Sequence, residues 1–298
     1  MRSPLRQDGQ VTCEETRSRL APAYEVCGLE FGYDQGRGRI GRLVLQDVAL
    51  QVESGTMLGI VGPNGSGKTS LLRLLAKLAV PQQGTIRLFG RPLTEWSQEE
   101  AARHLAFVAQ DQAQPFPFTV AETVLMGRFP HRRRSRWDLG FGWENQEDRA
   151  AATHAMATLD IAHLASRLIT ELSGGERQRT MIARALAQTT EVLLLDEPTA
   201  FLDLQHQLDI CTVLRRLCDR LGLTVVIVSH DLNLASQYCD RIVMLRDGRV
   251  WAQGLPQEVF TVETLRGVYG CEVLIDVHPD SGLPRMTLPR YAGLPRQG

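Results

Sequence analysis

The sequence predicts an α/β fold with a central parallel sheet, and two observations support that prediction. Three apolar runs, at 56–61, 191–196 and 224–229, are rich in β-branched residues or leucine, and helical patterns flank them. Strands that are buried on both faces of a parallel sheet have this composition, because helices cover both faces. The first run also leads directly into a glycine-rich stretch, Gly62–Thr69, that opens a helical pattern.

The glycine-rich stretch reads Gly-Pro-Asn-Gly-Ser-Gly-Lys-Thr and fits the phosphate-binding pattern G-x-x-x-x-G-K-[ST]. Glycines at 62, 65 and 67 let successive backbone N–H groups point into one concavity. The helix that follows adds partial positive charge at its N-terminus. Lys68 is expected to reach the outer phosphates, and Thr69 to offer a hydroxyl to Mg²⁺. Apolar positions of this helix repeat at helical spacing, at Leu71, Leu72, Leu74, Leu75 and Leu78. The sequence therefore predicts a nucleoside triphosphate site.

Composition and charge are those of an ordinary soluble protein. The 298 residues are 43% hydrophobic and 22% charged, enough for one large or two small domains. A net charge of -1 argues against a nucleic-acid-binding protein that relies on a positive surface. No apolar run approaches a membrane span, and residues 1–20 lack a signal-peptide core. The six cysteines include no C-x-x-C pair, so reduced structural thiols in a cytosolic protein are expected.

The order of patterns divides the chain into three parts. We predict a disordered leader at 1–22, a globular domain at 23–270 with a mostly helical block at about 94–170, and a C-terminal extension with short strands at 271–298. Further strands are predicted within 24–52 and at 84–89, 105–109, 241–246 and 249–253. The last two flank Asp247-Gly248, which predicts a tight hairpin.

Two more motifs bear on chemistry. Leu172–Gln178 reads Leu-Ser-Gly-Gly-Glu-Arg-Gln, and its Ser and Glu fit a helix capping box. A cap does not explain the paired glycines, which cost helix stability, so a close approach of the backbone to a ligand is predicted. The apolar run 192–195 ends in Asp196 and Glu197. Beside a phosphate-binding loop, these carboxylates suggest a metal-side ligand and a catalytic base.

These motifs, in this order, resemble those of the nucleotide-binding subunit of an ABC transporter over about 24–270. The resemblance implies a P-loop NTPase (RecA-like) core, an antiparallel β subdomain, and an inserted helical subdomain at about 94–170. It implies ATP hydrolysis with Mg²⁺, coupled to transport.

The resemblance assigns further residues one at a time. Tyr33 stands where the family has an aromatic that stacks on adenine, although Phe31 lies close enough to leave the choice open. Gln110 matches the glutamine that touches Mg²⁺ and the attacking water, and His230 matches the histidine that contacts the γ-phosphate. Asp203 matches an aspartate that meets the opposite subunit, and Phe201 stands where many members have a small residue.

The implied site has three groups of residues. The catalytic residues are Glu197, His230 and Gln110. The metal-side residues are Thr69, Gln110 and Asp196. The nucleotide-contacting residues are Tyr33, Gly62, Asn64, Gly65, Ser66, Gly67, Lys68, Thr69, Ser70, Ser173, Gly174, Gly175 and Asp203.

The resemblance also implies partners. Two copies of the chain would pack head to tail around two ATP molecules. Lys68 and Thr69 of one copy would hold each ATP, and 173–175 of the other would cap it. The homodimer would bind transmembrane permease subunits at the cytoplasmic face of the cell membrane, and through them a substrate-binding protein, with no nucleic acid involved.

Weaker motifs resemble those of importers of iron–siderophore complexes, haem and cobalamin. They lie at 119–131, 199–207, 254–259, 268–270 and 273–289. A groove for a cytoplasmic helix of the permease is expected between Gln110 and His131, with an apolar surface drawn from Phe116, Phe118, Val120, Leu125, Met126 and Phe129. The basic run Arg132–Arg136 would face anionic lipid, the permease or solvent.

Three alternatives stay open at this stage. The chain could be a non-transport ABC ATPase, such as a cofactor-assembly scaffold, or serve an exporter or another importer. The cargo is not encoded in the nucleotide site, so siderophore, haem and cobalamin are not ranked.

Overall fold

A computed structural model describes residues 21–33, 42–110, 117–131 and 145–289. Predictions for 1–20, Phe116, the basic run Arg132–Arg136 and 290–298 lie outside these ranges. The described strands, in chain order, are β1 (Tyr24–Phe31), β2 (Leu45–Val52), β3 (Met57–Val61), β4 (Gln83–Leu88), β5 (Arg91–Pro92), β6 (Leu105–Val108), β7 (Val192–Asp196), β8 (Thr224–Val228), β9 (Arg241–Arg246), β10 (Arg249–Gly254), β11 (Leu274–Val277) and β12 (Pro284–Thr287). The described α-helices are α1 (Lys68–Leu75), α2 (Gln98–His104), α3 (Val120–Leu125), α4 (Gln146–Thr158), α5 (Gly174–Ala187), α6 (Leu204–Leu221), α7 (Leu232–Tyr238), α8 (Pro256–Val259) and α9 (Val262–Tyr269).

The largest sheet has the order β10-β9-β3-β8-β7-β6. Neighbouring strands from β9 to β6 are parallel, and β10 is an antiparallel edge. The three apolar runs of the sequence form β3, β8 and β7, which are adjacent, and the run predicted at 105–109 forms β6. The predicted parallel sheet is therefore confirmed, as is the hairpin between β9 and β10. Asp247 and Gly248 both have positive φ, at 48° and 77°, as a two-residue hairpin turn requires.

The central sheet is buried on both faces, which explains why its strands are continuous apolar runs. In β3, Met57 and Val61 join a core cluster formed with the helices, including α5, α6 and α7. Leu58 and Ile60 of the same strand point to the opposite face, where they join α1 and the second sheet. Alternate residues of one strand thus serve two separate cores.

A second, antiparallel sheet has the order β2-β1-β4-β5 and covers α1. The helix lies between the two sheets, and its leucines at 71, 72, 74 and 75 are fully buried. The prediction that Leu78 continues the same helix was wrong. Lys77 adopts a left-handed φ of 56°, which ends the helix after Leu75, and Leu78 is 55% exposed.

The block at 94–170 contains α2, α3 and α4, together with β6 of the central sheet. Its separation as a subdomain stays a prediction. None of the described helices is long and apolar enough to cross a membrane.

The short strands predicted in the C-terminal extension are β11 and β12, which pair as an antiparallel hairpin that rests on α7. Asn233 accepts a hydrogen bond from the Met286 amide and donates one to its carbonyl, at 2.7 and 3.0 Å. Ser236 donates to the Pro284 carbonyl at 2.7 Å. These side chains attach the hairpin to the helix that begins two residues after His230.

Candidate active site

The predicted site residues meet at one edge of the central sheet. The strands β3, β8, β7 and β6 are parallel neighbours, so their carboxyl ends lie side by side. Gly62 follows β3, His230 follows β8 by two residues, and Gln110 follows β6 by two. Asp196 is the last residue of β7, and Glu197 comes next. Ligand sites in open α/β sheets form at this edge.

The loop between β3 and α1 has the backbone that its glycines were predicted to allow. Gly62, Gly65 and Gly67 have φ values of 148°, 76° and 100°. A Cβ at Gly62 would lie 2.1 Å from the Leu245 carbonyl oxygen, and one at Gly67 would lie 2.6 Å from Leu45. Gly62 is therefore required by space as well as by backbone angle, whereas Gly67, whose nearest neighbour is a side-chain methyl group, is required mainly by its backbone angle.

The tip of the loop is open. A Cβ at Gly65 would meet no atom within 4 Å among the described residues, and Asn64 beside it is exposed. Deeper in the loop, the hydroxyl of Ser66 is buried and has no hydrogen-bond partner within the described ranges. A buried polar atom of this kind is costly unless a ligand or water satisfies it. The loop therefore fits a phosphate group.

Lys68, the first residue of α1, extends back over this loop. Its Nζ donates to the carbonyl oxygens of Gly62 and Pro63 at 2.9 and 3.0 Å. Burial lowers the pKa of the ammonium, while the charges of Glu197 and Asp196 act in the opposite direction. The amine is thus held at the centre of the loop, beside both carboxylates, as a phosphate-binding lysine needs to be.

Thr69 and Asp196 place two oxygen ligands together. The Thr69 hydroxyl donates to Oδ1 of Asp196 at 3.2 Å, which joins the start of α1 to the end of β7. Asp196 is 3% exposed, and its burial raises the pKa of the carboxyl group above its ordinary value. Hydroxyl and carboxylate oxygens are the donors that Mg²⁺ prefers, so this pair fits the predicted metal side of the site.

Three predicted catalytic residues are in direct contact. Nε2 of His230 lies 2.5 Å from Oε1 of Glu197, and Nε2 of Gln110 donates to Oε2 of Glu197 at 2.6 Å. Glu197 has a φ of 50°, a strained value for a non-glycine residue, and its amide donates to the Val228 carbonyl at 3.1 Å. The strand ends thus hold one carboxylate, 11% exposed, between an imidazole and an amide.

The structure separates the two aromatic candidates near the site. Phe31 ends β1 in the core at 7% exposure, whereas Tyr33 is 46% exposed. The Tyr33 hydroxyl lies 3.0 Å from the Ser70 hydroxyl on α1. The rings of Phe31 and Tyr33 meet edge to face, with their centroids 5.0 Å apart. Of these two rings, only that of Tyr33 offers a surface to a ligand.

The second glycine-containing motif begins α5, and the predicted capping box is confirmed. Ser173 accepts a hydrogen bond from the Glu176 amide at 3.3 Å, and the Glu176 carboxylate accepts from the Ser173 amide and hydroxyl at 2.8 Å each. These contacts lower the pKa of Glu176. Ser173 and Gly174 are exposed, so the N-terminus of this 14-residue helix faces outward. Such a helix end is suited to an anion.

Asp203 caps α6, the helix that follows β7. Its Oδ1 accepts from the His206 amide at 2.9 Å and lies 2.6 Å from Nδ1 of the same residue. Phe201, two residues earlier, is 99% exposed with a φ of 61°. The hydrogen bonds of Asp203 and Ser173 are made within the chain, and both residues face away from the core.

Sequence reasoning missed two residues that support the site. Tyr269 is the last residue of α9, and burial raises the pKa of its hydroxyl to about 12, while the nearby Gly62 amide acts in the opposite direction. The end of α9 therefore lies beside the phosphate-binding loop. His206 contacts both Asp203 and Gly175. Both residues stand in segments that resemble importers, 199–207 and 268–270, but that resemblance gives neither residue a role, so contact geometry alone identifies them.

The sheet order, the loop at Gly62–Thr69 and the carboxylates at the end of β7 define a phosphate-loop ATP-binding protein. Residues 45–200 match the family described as ABC transporter. The chain belongs to that family, as the motifs had indicated.

Similar chains include ATP-binding proteins that are named for import or transport. A hemin import ATP-binding protein, HmuV, of Gloeobacter violaceus is 44% identical over 82% of this chain and 88% of its own length. The ferric enterobactin transport ATP-binding protein FepC of Escherichia coli is 39% identical over 81% and 87%. The cobalamin import ATP-binding protein BtuD of Halobacterium salinarum is 43% identical, but the match spans 83% of this chain and only 60% of that relative.

Solved structures agree with the fold. A chain described as part of a metal-chelate type ABC transporter in an inward-facing conformation matches with a TM-score of 0.75 and 29% identity, covering 90% of this chain and 98% of that one. A dimeric bacterial ABC transporter cassette matches with a TM-score of 0.66 and 28% identity, covering 78% and 98%.

Proposed function

We propose that this chain is the ATP-hydrolysing subunit of an importer that carries an iron–siderophore complex, haem or cobalamin through a membrane permease. One observation carries the enzymatic part of the proposal. Glu197, at the end of β7, is held between His230 and Gln110 beside the phosphate-binding loop. The names of the similar import subunits support the transport part.

In the proposed reaction, the chain's own residues position ATP and water. Lys68 and the loop amides hold the phosphates, and Tyr33 stacks on adenine. Glu197 orients and polarises the attacking water. His230 and Gln110, which hold that carboxylate, also position the γ-phosphate. Thr69 and Gln110 would hold Mg²⁺ directly and Asp196 indirectly; when bound, the ion neutralises developing charge on the phosphates. Phosphoryl transfer depends mostly on such positioning.

A single copy provides only part of each site in this proposal. The outward-facing N-terminus of α5 and the exposed Asp203 of one copy would meet the second copy. There they would cap the ATP that Lys68 and Thr69 of the second copy hold. A dimeric cassette among the similar structures supports this arrangement. Binding of ATP would join the two copies, and hydrolysis would release them.

Fewer of the residues predicted for the permease groove are exposed than the sequence indicated. Val120 is fully buried in the core, and Leu125 and Met126 are half-buried. Phe118 and Phe129 remain 37% and 55% exposed. These two aromatic side chains are therefore the residues that we propose to contact a cytoplasmic helix of the permease, at the inner face of the membrane.

The test is reconstitution of the chain with its permease in liposomes, followed by ATPase assays with loaded substrate-binding proteins. Ferric siderophores, haem and cobalamin are compared with an unloaded binding protein. The proposal expects one of these ligands to stimulate ATP hydrolysis and to accumulate inside the vesicles. If the chain hydrolysed ATP but no membrane protein bound the chain or stimulated the hydrolysis, the result would point instead to a non-transport ATPase.

A further inference from the structure

The ring of His206 fills the space directly above Gly175. A Cβ at Gly175 would lie 2.2 Å from Cδ2 of this ring and 2.8 Å from its Nε2, distances that real side chains do not adopt. Gly175 is buried in the first turn of α5, and His206 lies in the first turn of α6. The second glycine of the motif therefore leaves room for a side chain of the same chain, in addition to any ligand.

The other edge of the same ring faces Asp203. Nδ1 of His206 lies 2.6 Å from Oδ1 of Asp203, which also accepts the His206 backbone amide at 2.9 Å. The backbone contact alone caps the helix, so the side-chain contact is not needed for capping. The two contacts together lower the pKa of Asp203, which favours its ionised form.

Neighbouring residues strengthen the connection between these two segments. Gln207 donates to the carbonyl oxygens of Thr199 and Leu202 at 3.2 and 3.1 Å, which fixes the loop that precedes Asp203. Leu202 in turn lies in ordinary contact range of Gly174, because a Cβ added at Gly174 would be 3.7 Å from Cδ2 of Leu202. The loop 199–203 and the start of α5 are thus packed against each other through side chains of one copy.

We propose that His206 is a positioning residue for ATP hydrolysis. It sets the distance between Asp203 and the exposed end of α5, so that both reach the second copy as one rigid surface. His206 touches neither nucleotide nor water in this proposal and acts only through Asp203 and Gly175. The inference rests on the proposed function, because it assumes that two copies close on ATP.

The first experiment compares His206→Ala with His206→Asn. Alanine removes both contacts, and we expect kcat for ATP to fall by about tenfold, as for loss of a hydrogen bond to a charged group. The Kd of one copy for ATP should not change, because Lys68 and the phosphate-binding loop are untouched. Asparagine can still donate to Asp203 and should restore most of kcat. Gln205→Ala, at the exposed neighbouring position, is the matched control and should behave as the wild type.

The second experiment tests the contact with Gly175. Gly175→Ala forces a methyl group into the ring of His206, and we expect almost no hydrolysis. In Gly175→Ala/His206→Ala the ring is absent, so the loss should be smaller than the product of the two single losses. Thermal melting of each variant separates this effect from misfolding.

Two outcomes would overturn the inference alone. One is a His206→Ala protein with wild-type kcat. The other is a double variant whose loss in kcat is as large as, or larger than, the product of the two single losses. A folded wild-type protein that hydrolyses no ATP under any condition would instead overturn the proposed function, and this inference with it.

Discussion

Oε1 of Glu197 lies 2.5 Å from Nε2 of His230, a contact made across the ends of two adjacent parallel strands. The two residues belong to segments 33 positions apart in the sequence, and the sheet register brings them together. Gln110 contacts the other oxygen of the same carboxylate from a third strand end. The carboxylate is thereby oriented before any substrate arrives, as a group that positions water must be.

Replacement of this carboxylate should stop hydrolysis without stopping binding. For Glu197→Gln we expect kcat to fall by about 10²–10⁴-fold, the range for loss of a general base, with little change in ATP affinity. The matched control is Glu191→Gln, at the opposite end of the same strand, where the carboxylate contacts His104 instead. Steady-state phosphate release measures both, and a normal rate in Glu197→Gln would show that another group activates water.

Lys68 should account for a large part of the affinity for nucleotide. Its Nζ lies in the phosphate-binding loop, so Lys68→Ala removes a charge-assisted contact worth about 1.5–3 kcal/mol, or roughly 10- to 150-fold in Kd. Lys77→Ala is the control, because that amine donates to the Leu93 carbonyl outside the loop. Calorimetric titration with ATP should separate the two variants, and equal affinities would contradict the assignment of Lys68.

The two aromatic residues near β1 should fail in different ways. Tyr33→Ala should weaken ATP binding by about 1–3 kcal/mol, the usual worth of base stacking, and leave the melting temperature unchanged. Phe31→Ala should destabilise the fold by about 3–5 kcal/mol, because that ring is buried. Tyr33→Phe retains the ring and should bind ATP normally. If Tyr33→Ala bound ATP as tightly as the wild type, adenine would have to contact another surface.

Asp196 should show a conflict between stability and activity. Because its pKa is raised in the folded state, the ionised carboxylate lowers the free energy of unfolding. This cost is fully present above the raised pKa, and it disappears as pH falls towards the pKa of Asp in the unfolded chain, near 4. Asp196→Asn should therefore melt at a higher temperature than the ligand-free wild type at neutral pH, by about 2–4 °C for each kcal/mol regained. The difference should shrink in acid, and Mg²⁺-dependent hydrolysis should fall by about 10- to 100-fold. A lower melting temperature at neutral pH would contradict this account.

Ser173 should matter for closure of the dimer and not for binding by one copy. Ser173→Arg places a long cation at the exposed start of α5, so ATP affinity of the single copy should persist while the ATP-dependent dimer is lost. Ser97→Arg is the matched control, because Ser97 makes the same capping box with Glu100 on α2, away from the site. Sizing with and without ATP compares them, and a dimer peak in Ser173→Arg would refute the role of this helix end.

The sequence alone was enough to predict the parallel sheet, the phosphate-binding loop, the capping box and the hairpin at Asp247-Gly248. These features depend on local chemistry: alternating burial, left-handed backbone at glycine, and side chains that bond to nearby amides. The prediction that Leu78 belongs to α1 was wrong because Lys77 adopts a left-handed conformation, which the helix propensity of lysine does not indicate. Tyr269 and His206 stand in segments whose resemblance to importers was noted, but their roles were missed because the proximity of Tyr269 to Gly62 and of His206 to Gly175 joins segments distant in sequence.

The most direct test of the proposed two-copy site uses Glu197→Gln, since slow hydrolysis keeps ATP in place. Light scattering of the purified variant is measured with Mg²⁺ alone and with Mg²⁺ and ATP. We predict a single copy without nucleotide and a dimer with ATP, and the dimer should disappear when Lys68→Ala or Ser173→Arg is added to the variant. A mass of one chain at saturating ATP and high protein concentration would contradict the proposal that two copies enclose the nucleotide.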